Sequence, residues 1–238
     1  IAIAKFMGQY GYKVRDLRDL IIPFALIGVP ILIIMIAQRE TGSALVFLSF
    51  LLVFYRQGMT GYVLGWGVAS IVLFILVIRF GEVALPIGVG NVGSLVSTLL
   101  IHATAIGVLI AKEKDFRSLV IISLGVLACY GIGLLLNIWI QINFNYIGIA
   151  SLALTAIYLL VQSIKNRKLS YGWIAGFVLF SAVLCQGCDY AFHNILQRHQ
   201  RVRIEVLLGM KDDPHGAGYN VNQSLIAIGS GQFSGKGF

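Results

Sequence analysis

Long apolar runs dominate this sequence and most strongly constrain what the chain can fold into. A transmembrane helix needs roughly 20 mostly apolar residues to cross about 30 Å of hydrocarbon. Seven runs of this kind can be marked, at 20–37, 43–56, 60–79, 93–111, 118–140, 146–164 and 171–192, of which 43–56 is short but apolar throughout. Strands of a membrane barrel would alternate apolar and polar residues, and these runs are apolar throughout. The sequence therefore predicts an all-α, polytopic transmembrane helix bundle of about seven spans.

Composition excludes the soluble classes of protein. Of the 238 residues, 58% are hydrophobic and only 12% are charged, whereas a soluble domain carries about 25% charged residues. Three cysteines are too few for a disulfide framework. The net charge of +8 fits basic residues in cytoplasmic loops better than it fits nucleic-acid binding. We therefore expect an integral membrane protein that contacts the lipid bilayer and no nucleic acid.

The distribution of basic residues predicts how the chain is oriented. When residues 11–19 are put in the cytoplasm and the sides alternate, most basic residues become cytoplasmic, and the short outer loops carry only Arg39 and Arg79. This matches the positive-inside rule. Residues 1–192 then form the transmembrane bundle, and the polar residues 193–238 start a long extracytoplasmic loop. The chain reads as an internal piece of a longer protein.

Three short patterns imitate binding sites, but their context favours structural roles. Residues 88–93 match the dinucleotide spacing G-x-G-x-x-G, yet an apolar span follows, so we interpret them as a glycine-rich outer turn. Residues 229–237 imitate a phosphate loop, but the first glycine and the Ser or Thr after Lys236 are missing. Cys185 and Cys188 lack the further ligands of a structural zinc, which favours small packed side chains.

Two polar positions in or between the spans leave a functional interpretation open. His102 lies in the middle of an apolar span, where an ionisable group is a functional hypothesis by default. We favour a neutral imidazole bonded to a neighbouring helix. The outer segment 38–43 is either a polar loop that caps the next helix or the mouth of a cavity lined by Arg39 and Glu40.

The strongest local signal is a group of cations in the polar C-terminal stretch. Arg201, Arg203 and Lys236 flank the glycine-containing segment 212–219. Separated cations beside glycine-rich backbone suit an anionic group such as pyrophosphate, which arginine can bind through two hydrogen bonds at once. The alternative is a basic loop that rests on anionic lipid.

The motifs of this stretch resemble those of the RodA/FtsW (shape, elongation, division and sporulation) family of peptidoglycan polymerases. The resemblance is carried by Gln200–Arg203, Asp213–Tyr219, Gln223–Gly231 and Gly235–Gly237. Gln38–Leu45 is similar to the family segment Gln-Pro-Asp-Leu-Gly-Thr-Ala-Leu. The motifs are closest to the RodA branch, of the Bacteroidetes type. The resemblance covers 1–79 and 198–238, so the helices over about 80–192 are expected to be extra relative to the family.

The resemblance implies a multi-pass glycosyltransferase of the bacterial inner membrane that serves rod-shape elongation. It would polymerise lipid II on the periplasmic side, together with a class B penicillin-binding protein and other elongation-complex membrane proteins. The substrate-binding residues implied are Glu40, Arg201, Arg203, Gln223, Ser224 and Lys236. No cofactor is certain and no protein metal site is expected, although a divalent cation held near Glu40 stays open. The catalytic aspartate of the family would lie beyond Phe238, so this piece alone is expected to be inactive.

Two other functions remain as alternatives. A flippase for lipid-linked oligosaccharides would need polar residues stacked through several spans, and the sequence offers little beyond His102, Asn137 and Asp189. A non-enzymatic scaffold of the wall-synthesis machinery would use helix faces rich in small residues, such as Gly125 and Gly131 with Gly133.

Overall fold

The protein is mostly helical in the part of the chain that the structure describes. A computed structural model describes residues 2–8, 21–34, 37, 42, 46–86, 89–213, 215–216, 218–231 and 235. These residues fall into two compact units, Ile1–Ala69 and Ser70–Phe238. Among the described residues, extended pairing is limited to two isolated bridges. The predicted all-α class is confirmed.

The first unit contains short helices around a small apolar core. Ile27, Phe54 and Met59 are buried in it, and the rings of Phe24 and Phe54 meet edge to face at 5.9 Å. The predicted spans 20–37 and 43–56 are described only in part, because residues 20, 35–36 and 43–45 lie outside the described ranges. The elements are α1 (Ala2–Met7), α2 (Ile21–Ile33), a 3₁₀ turn (Phe47–Ser49), α3 (Phe50–Arg56) and the beginning of α4 (Gly61–Gly81).

The second unit contains the long apolar helices. They are the end of α4, then α5 (Val92–Glu113), α6 (Phe116–Asn137), α7 (Phe144–Asn166) and α8 (Leu169–Tyr190), which a π-helical turn (Ala191–Ile195) continues. With that turn included, all five are long and apolar enough to cross a membrane. Five of the seven predicted spans are thereby confirmed, each within three residues of its predicted ends.

Polar side chains decide where these helices begin and end. Asn91 caps α5, because its side-chain oxygen accepts a hydrogen bond from the Ser94 amide at 2.8 Å. The span predicted over 118–140 extended too far. Helix α6 ends at Asn137, where the side-chain oxygen accepts from the amide of Ile142 at 3.3 Å and so helps to hold the chain as it leaves the helix.

The glycine-rich segment before α5 forms a hydrogen-bonded turn. For its described residues, this confirms the prediction of a turn rather than a dinucleotide-binding loop. The Val92 amide donates to the Val83 carbonyl at 2.8 Å, and the Phe144 amide donates to the Val89 carbonyl at 2.7 Å. Gly90 has φ of +149°, a conformation that favours glycine. The turn therefore links the start of α5 to the start of α7.

Helices α5, α7 and α8 enclose the core of the second unit, with α6 packed against α7. The buried apolar cluster consists of Leu73, Ile101, Ala105, Leu109, Ile122, Leu152, Ala156, Leu159, Tyr171, Ile174, Ala175 and Val178. Many other apolar side chains are exposed, as is expected where lipid rather than water surrounds the bundle. The fold is a polytopic helical bundle.

The polar C-terminal stretch contains two helices, although the sequence analysis marked none there. Helix α9 spans Arg198–Leu207 and α10 spans Tyr219–Gly231. The first turn of α9 is closed by a hydrogen bond from the Gln197 amide to the Gln200 side chain at 3.2 Å. Gly218, just before α10, is buried against α9: a Cβ atom at this position would lie 3.2 Å from Cγ1 of Val206. The start of α10 therefore lies beside α9.

Candidate functional site

Arg201 is anchored at the junction between the transmembrane bundle and α9. Its Nη2 donates a hydrogen bond to the carbonyl oxygen of His193 at 2.5 Å, and its guanidinium carbon lies 5.6 Å from the centre of the Phe192 ring. Its Nε is buried and makes no hydrogen bond within the described residues. The guanidinium is thus positioned by the His193 carbonyl and the Phe192 ring, and its buried Nε has no hydrogen-bond partner among the described residues.

The other predicted cation of α9 lies on a different face. Arg203 follows Arg201 by two residues and is exposed, and residues at that spacing in a helix do not face each other. The two arginines therefore do not form a preassembled clamp on α9. A bound pyrophosphate would contact both only if it or a neighbouring segment bridged the two faces.

The remaining predicted site residues divide into two pairs. Gln223 and Ser224 lie exposed on α10, where the Ser224 hydroxyl donates to the Asn220 carbonyl at 2.8 Å. Glu40 and Lys236 lie outside the described residues, so their part in the site stays a prediction.

A small polar cavity lies at the end of the bundle where α5 and α7 begin and α8 ends. Its volume is about 40 Å³, enough for two or three water molecules. The polar side chains that line it are Asn91, Ser94, Ser97, Thr98, Asn145, Gln186 and Asp189. Apart from Asp189, these residues were not predicted to have a functional role, although an Asn that precedes a long apolar helix is a recognisable cap signal.

The cavity is connected to Arg201 through the π turn. His193 Nδ1 lies 2.9 Å from the Asp189 carbonyl and 3.6 Å from an Asp189 carboxylate oxygen. The carbonyl of the same His193 accepts the hydrogen bond of Arg201. These contacts join the cavity to α9 through a π turn, a feature that occurs frequently at functional sites.

His102 is bonded to a neighbouring helix, as expected. Its Nδ1 lies 2.8 Å from the Thr98 carbonyl and its Nε2 lies 3.1 Å from the hydroxyl of Thr155 on α7. On the side of α5 that leads toward Glu113, the next core positions are apolar, with Ala105 and Leu109 fully buried. On α5 the buried polar positions therefore stop at His102, whereas α7 carries Tyr158 closer to the opposite end, where its hydroxyl lies 2.9 Å from that of Ser118.

The opposite end of the bundle carries a network around Asp115, the cap of α6. Its carboxylate accepts hydrogen bonds from the Ser118 hydroxyl at 2.5 Å and from the hydroxyl of the buried Tyr171 at 2.7 Å. The bond from Ser118, followed by that from Tyr171, lowers the pKa of Asp115 below its usual value.

This lowered pKa predicts an acid-sensitive contribution to stability. The ionised Asp115 stabilises the folded protein above the pKa of an unfolded aspartate, about 3.9. The contribution is lost as the pH falls through the lower folded-state pKa. We expect the thermal unfolding midpoint in detergent micelles to fall over this range, and to fall less in Asp115→Asn. Asp212→Asn, at an exposed position, should behave like the unsubstituted protein; equal pH profiles for all three would contradict the assignment.

Comparison with known proteins identifies relatives of the chain. The model of the FtsW/RodA/SpoVE family, described as cell cycle proteins, matches residues 90–238. A segment of 44 residues is 50% identical to the peptidoglycan glycosyltransferase MrdB of Escherichia coli K12, covering 18% of this chain and 12% of MrdB. A segment of 119 residues is 29% identical to the peptidoglycan glycosyltransferase RodA of Treponema pallidum, covering 44% of this chain and 27% of that protein.

These matches cover only part of each relative. The matched segments span less than a third of the length of either curated protein. No solved structure matches the chain. The family match runs through α5–α8, the region that we interpreted as extra to the family, and that interpretation stays a prediction.

Proposed function

This chain belongs to the FtsW/RodA/SpoVE family of cell cycle proteins, and from that premise we propose that its parent protein is a peptidoglycan glycosyltransferase. The proposed reaction is the polymerisation of lipid II into glycan strands for rod-shape elongation. The observation that carries the proposal is the family match over residues 90–238, which includes both helices of the C-terminal stretch. The names of the two relatives, both peptidoglycan glycosyltransferases, support it.

The chemistry of the proposed reaction assigns a role to the cations. A sugar hydroxyl of one lipid-linked chain forms a bond to the anomeric carbon of another, and the bond from that carbon to the pyrophosphate breaks. The electron pair leaves with undecaprenyl pyrophosphate, and a carboxylate takes the hydroxyl proton, a step typically worth about 10²–10⁴ in rate. Preorganised cations near the leaving group stabilise the negative charge that develops, usually a larger effect.

Arg201 is our first candidate for binding the leaving pyrophosphate. Its contact with the His193 carbonyl fixes the guanidinium, while its buried Nε has no partner within the described residues. A guanidinium that is already held in place needs little reorganisation to bind an anion. We propose Arg203 as a second contact from the other side of α9, and Gln223, Ser224 and Lys236 as further substrate-binding residues.

Several features of the parent protein follow as proposals. Glu40 would orient the acceptor hydroxyl or hold a divalent ion, and the catalytic carboxylate is expected outside this chain. We place the protein in the bacterial inner membrane, with residues 193–238 on the periplasmic side. A class B penicillin-binding protein and other elongation-complex membrane proteins are the proposed partners.

An assay of the full-length parent tests the function directly. The protein and its penicillin-binding partner are reconstituted in proteoliposomes and supplied with lipid II at the outer face, and glycan strands are resolved on a gel. We expect strands to form. Folded protein that makes no strands would contradict the proposal. Transfer of labelled lipid II across the bilayer would then favour the flippase, and partner binding without either activity would favour the scaffold.

A further inference from the structure

Two connections that are distant in sequence form one surface at the end of the bundle opposite the polar cavity. The α5–α6 and α7–α8 connections are joined by an ion pair between Glu113 and Lys168. The Ser170 hydroxyl also donates to Glu113 at 2.5 Å, and the Tyr171 hydroxyl donates to Asp115 at 2.7 Å. These contacts hold the two connections side by side.

On this surface the carboxylates are bonded to the protein itself, whereas most basic side chains are exposed. Both carboxylates, Glu113 and Asp115, are occupied by the contacts that join the connections. Lys168 is paired with Glu113, whereas four other basic side chains are exposed and make no ion pair within the described residues: Lys114, Arg117, Lys165 and Arg167. With the acidic charge used internally, the outer surface presents a concentrated positive potential.

Exposed apolar side chains lie directly beside these cations. Phe116 is 65% exposed, Ile164 79% and Leu169 74%, and Trp173 is 53% exposed about one turn further along α8. All of them lie at the ends of membrane-spanning helices. Tryptophan is enriched where hydrocarbon meets the headgroup layer. The surface therefore combines an anion-binding part with an apolar part that faces the acyl chains.

We propose that this basic surface binds the headgroup of an anionic phospholipid of the phosphatidylglycerol class. Lysine and arginine from both connections would contact the phosphate through charge-assisted hydrogen bonds, and the acyl chains would lie along Phe116 and Leu169. A soluble anion would use the cations but would leave the adjacent apolar side chains without a partner. This inference does not depend on the proposed glycosyltransferase activity.

Trp173 provides a local reporter for the proposed lipid. A variant with Trp66→Phe and Trp139→Phe retains Trp173 as the only tryptophan among these 238 residues. Any tryptophan elsewhere in the parent protein is also replaced by Phe, and the variant is reconstituted in phosphatidylcholine vesicles. Brominated phosphatidylglycerol or brominated phosphatidylcholine is added at the same mole fraction, and quenching of the fluorescence is measured. We expect stronger quenching by the brominated phosphatidylglycerol, with a preference that decreases as salt is added.

Two charge variants show whether the cations of this surface cause the lipid preference. Arg117→Gln with Lys165→Gln should lower the relative affinity for phosphatidylglycerol by roughly fivefold per cation removed. The matched control, Arg198→Gln with Lys211→Gln, removes the same charge from the C-terminal stretch and should leave the preference at Trp173 unchanged.

The outcomes that would overturn the proposal are equally specific. They are equal quenching by the two lipids at Trp173, or a preference that survives the Arg117 and Lys165 substitutions in a protein with normal helix content. The same preference at Trp139 would also overturn it, since that residue, 88% exposed, lies beyond the other end of α6. Quenching at Trp139 is measured in a variant with Trp66→Phe and Trp173→Phe.

Discussion

Arg201→Ala should lower the rate of glycan polymerisation by the full-length parent by about 100-fold or more, while the protein still folds. Removing one preorganised donor to a developing negative charge typically costs about 10²–10³ in rate. Arg201 is held by the His193 carbonyl and the face of the Phe192 ring. A solvent cation that replaced it would have to be positioned anew in each turnover.

The variant set must separate the charge of Arg201 from its structural contacts. Arg201→Lys keeps the charge and should retain part of the rate, whereas Arg201→Gln keeps an amide donor but no charge and should approach Arg201→Ala. Arg198→Ala, at an exposed position at the start of the same helix, is the matched control and should retain the normal rate.

The measurements are strand synthesis from lipid II and thermal unfolding of each variant. A well-folded Arg201→Ala protein with the normal rate would contradict the assignment. Equal rates for Arg201→Lys and Arg201→Gln would mean that Arg201 acts only by holding the π turn against α9. If only Arg201→Ala fails to fold, the rates of Arg201→Lys and Arg201→Gln decide the question.

The apolar spans could be predicted from sequence because their signal is local. A run that is apolar throughout can cross a membrane as a helix whatever its neighbours are, and side-chain caps such as Asn91 and Asp115 then set the ends. The predicted end at residue 140 failed because Ile138 and Ile140 continue the apolar run, whereas a side-chain bond from Asn137 helps to end the helix. The hydropathy of the sequence contains no information on that hydrogen bond.

The candidate site was predictable only in its residue types. The cations were found from the motif around Arg201 and Arg203, but their separation on two faces follows from α9, and the polar composition of 198–207 did not indicate a helix. The cavity needs the relative rotation of three helices, since Asn91, Asn145 and Asp189 belong to different ones. Sequence spacing alone contains no information on that rotation.

Gly93→Ala should destabilise the second unit by about 1–3 kcal/mol, the usual cost of forcing extra volume into a well-packed interior. A Cβ at this position would lie 2.9 Å from the backbone nitrogen of Gly81, 2.9 Å from the backbone carbon of Phe80 and 3.0 Å from the carbonyl oxygen of Leu76. Backbone atoms cannot rotate away as a side chain can. The ends of α4 and α5 would therefore have to separate.

Gly107→Ala provides a matched control, because it makes the same chemical change in the same helix. A Cβ at Gly107 would meet nothing within 4 Å, so the substitution should be neutral or should stabilise α5 by about 0.5–1 kcal/mol through helix propensity. The free energy of unfolding of both variants in mixed micelles decides between the two effects. If both substitutions changed it alike, helix propensity alone would explain them, and the close approach of α4 to α5 would be wrong. Destabilisation confined to Gly93→Ala would show that a glycine is required where the two helices meet, next to the cavity that Asn91 and Ser94 line.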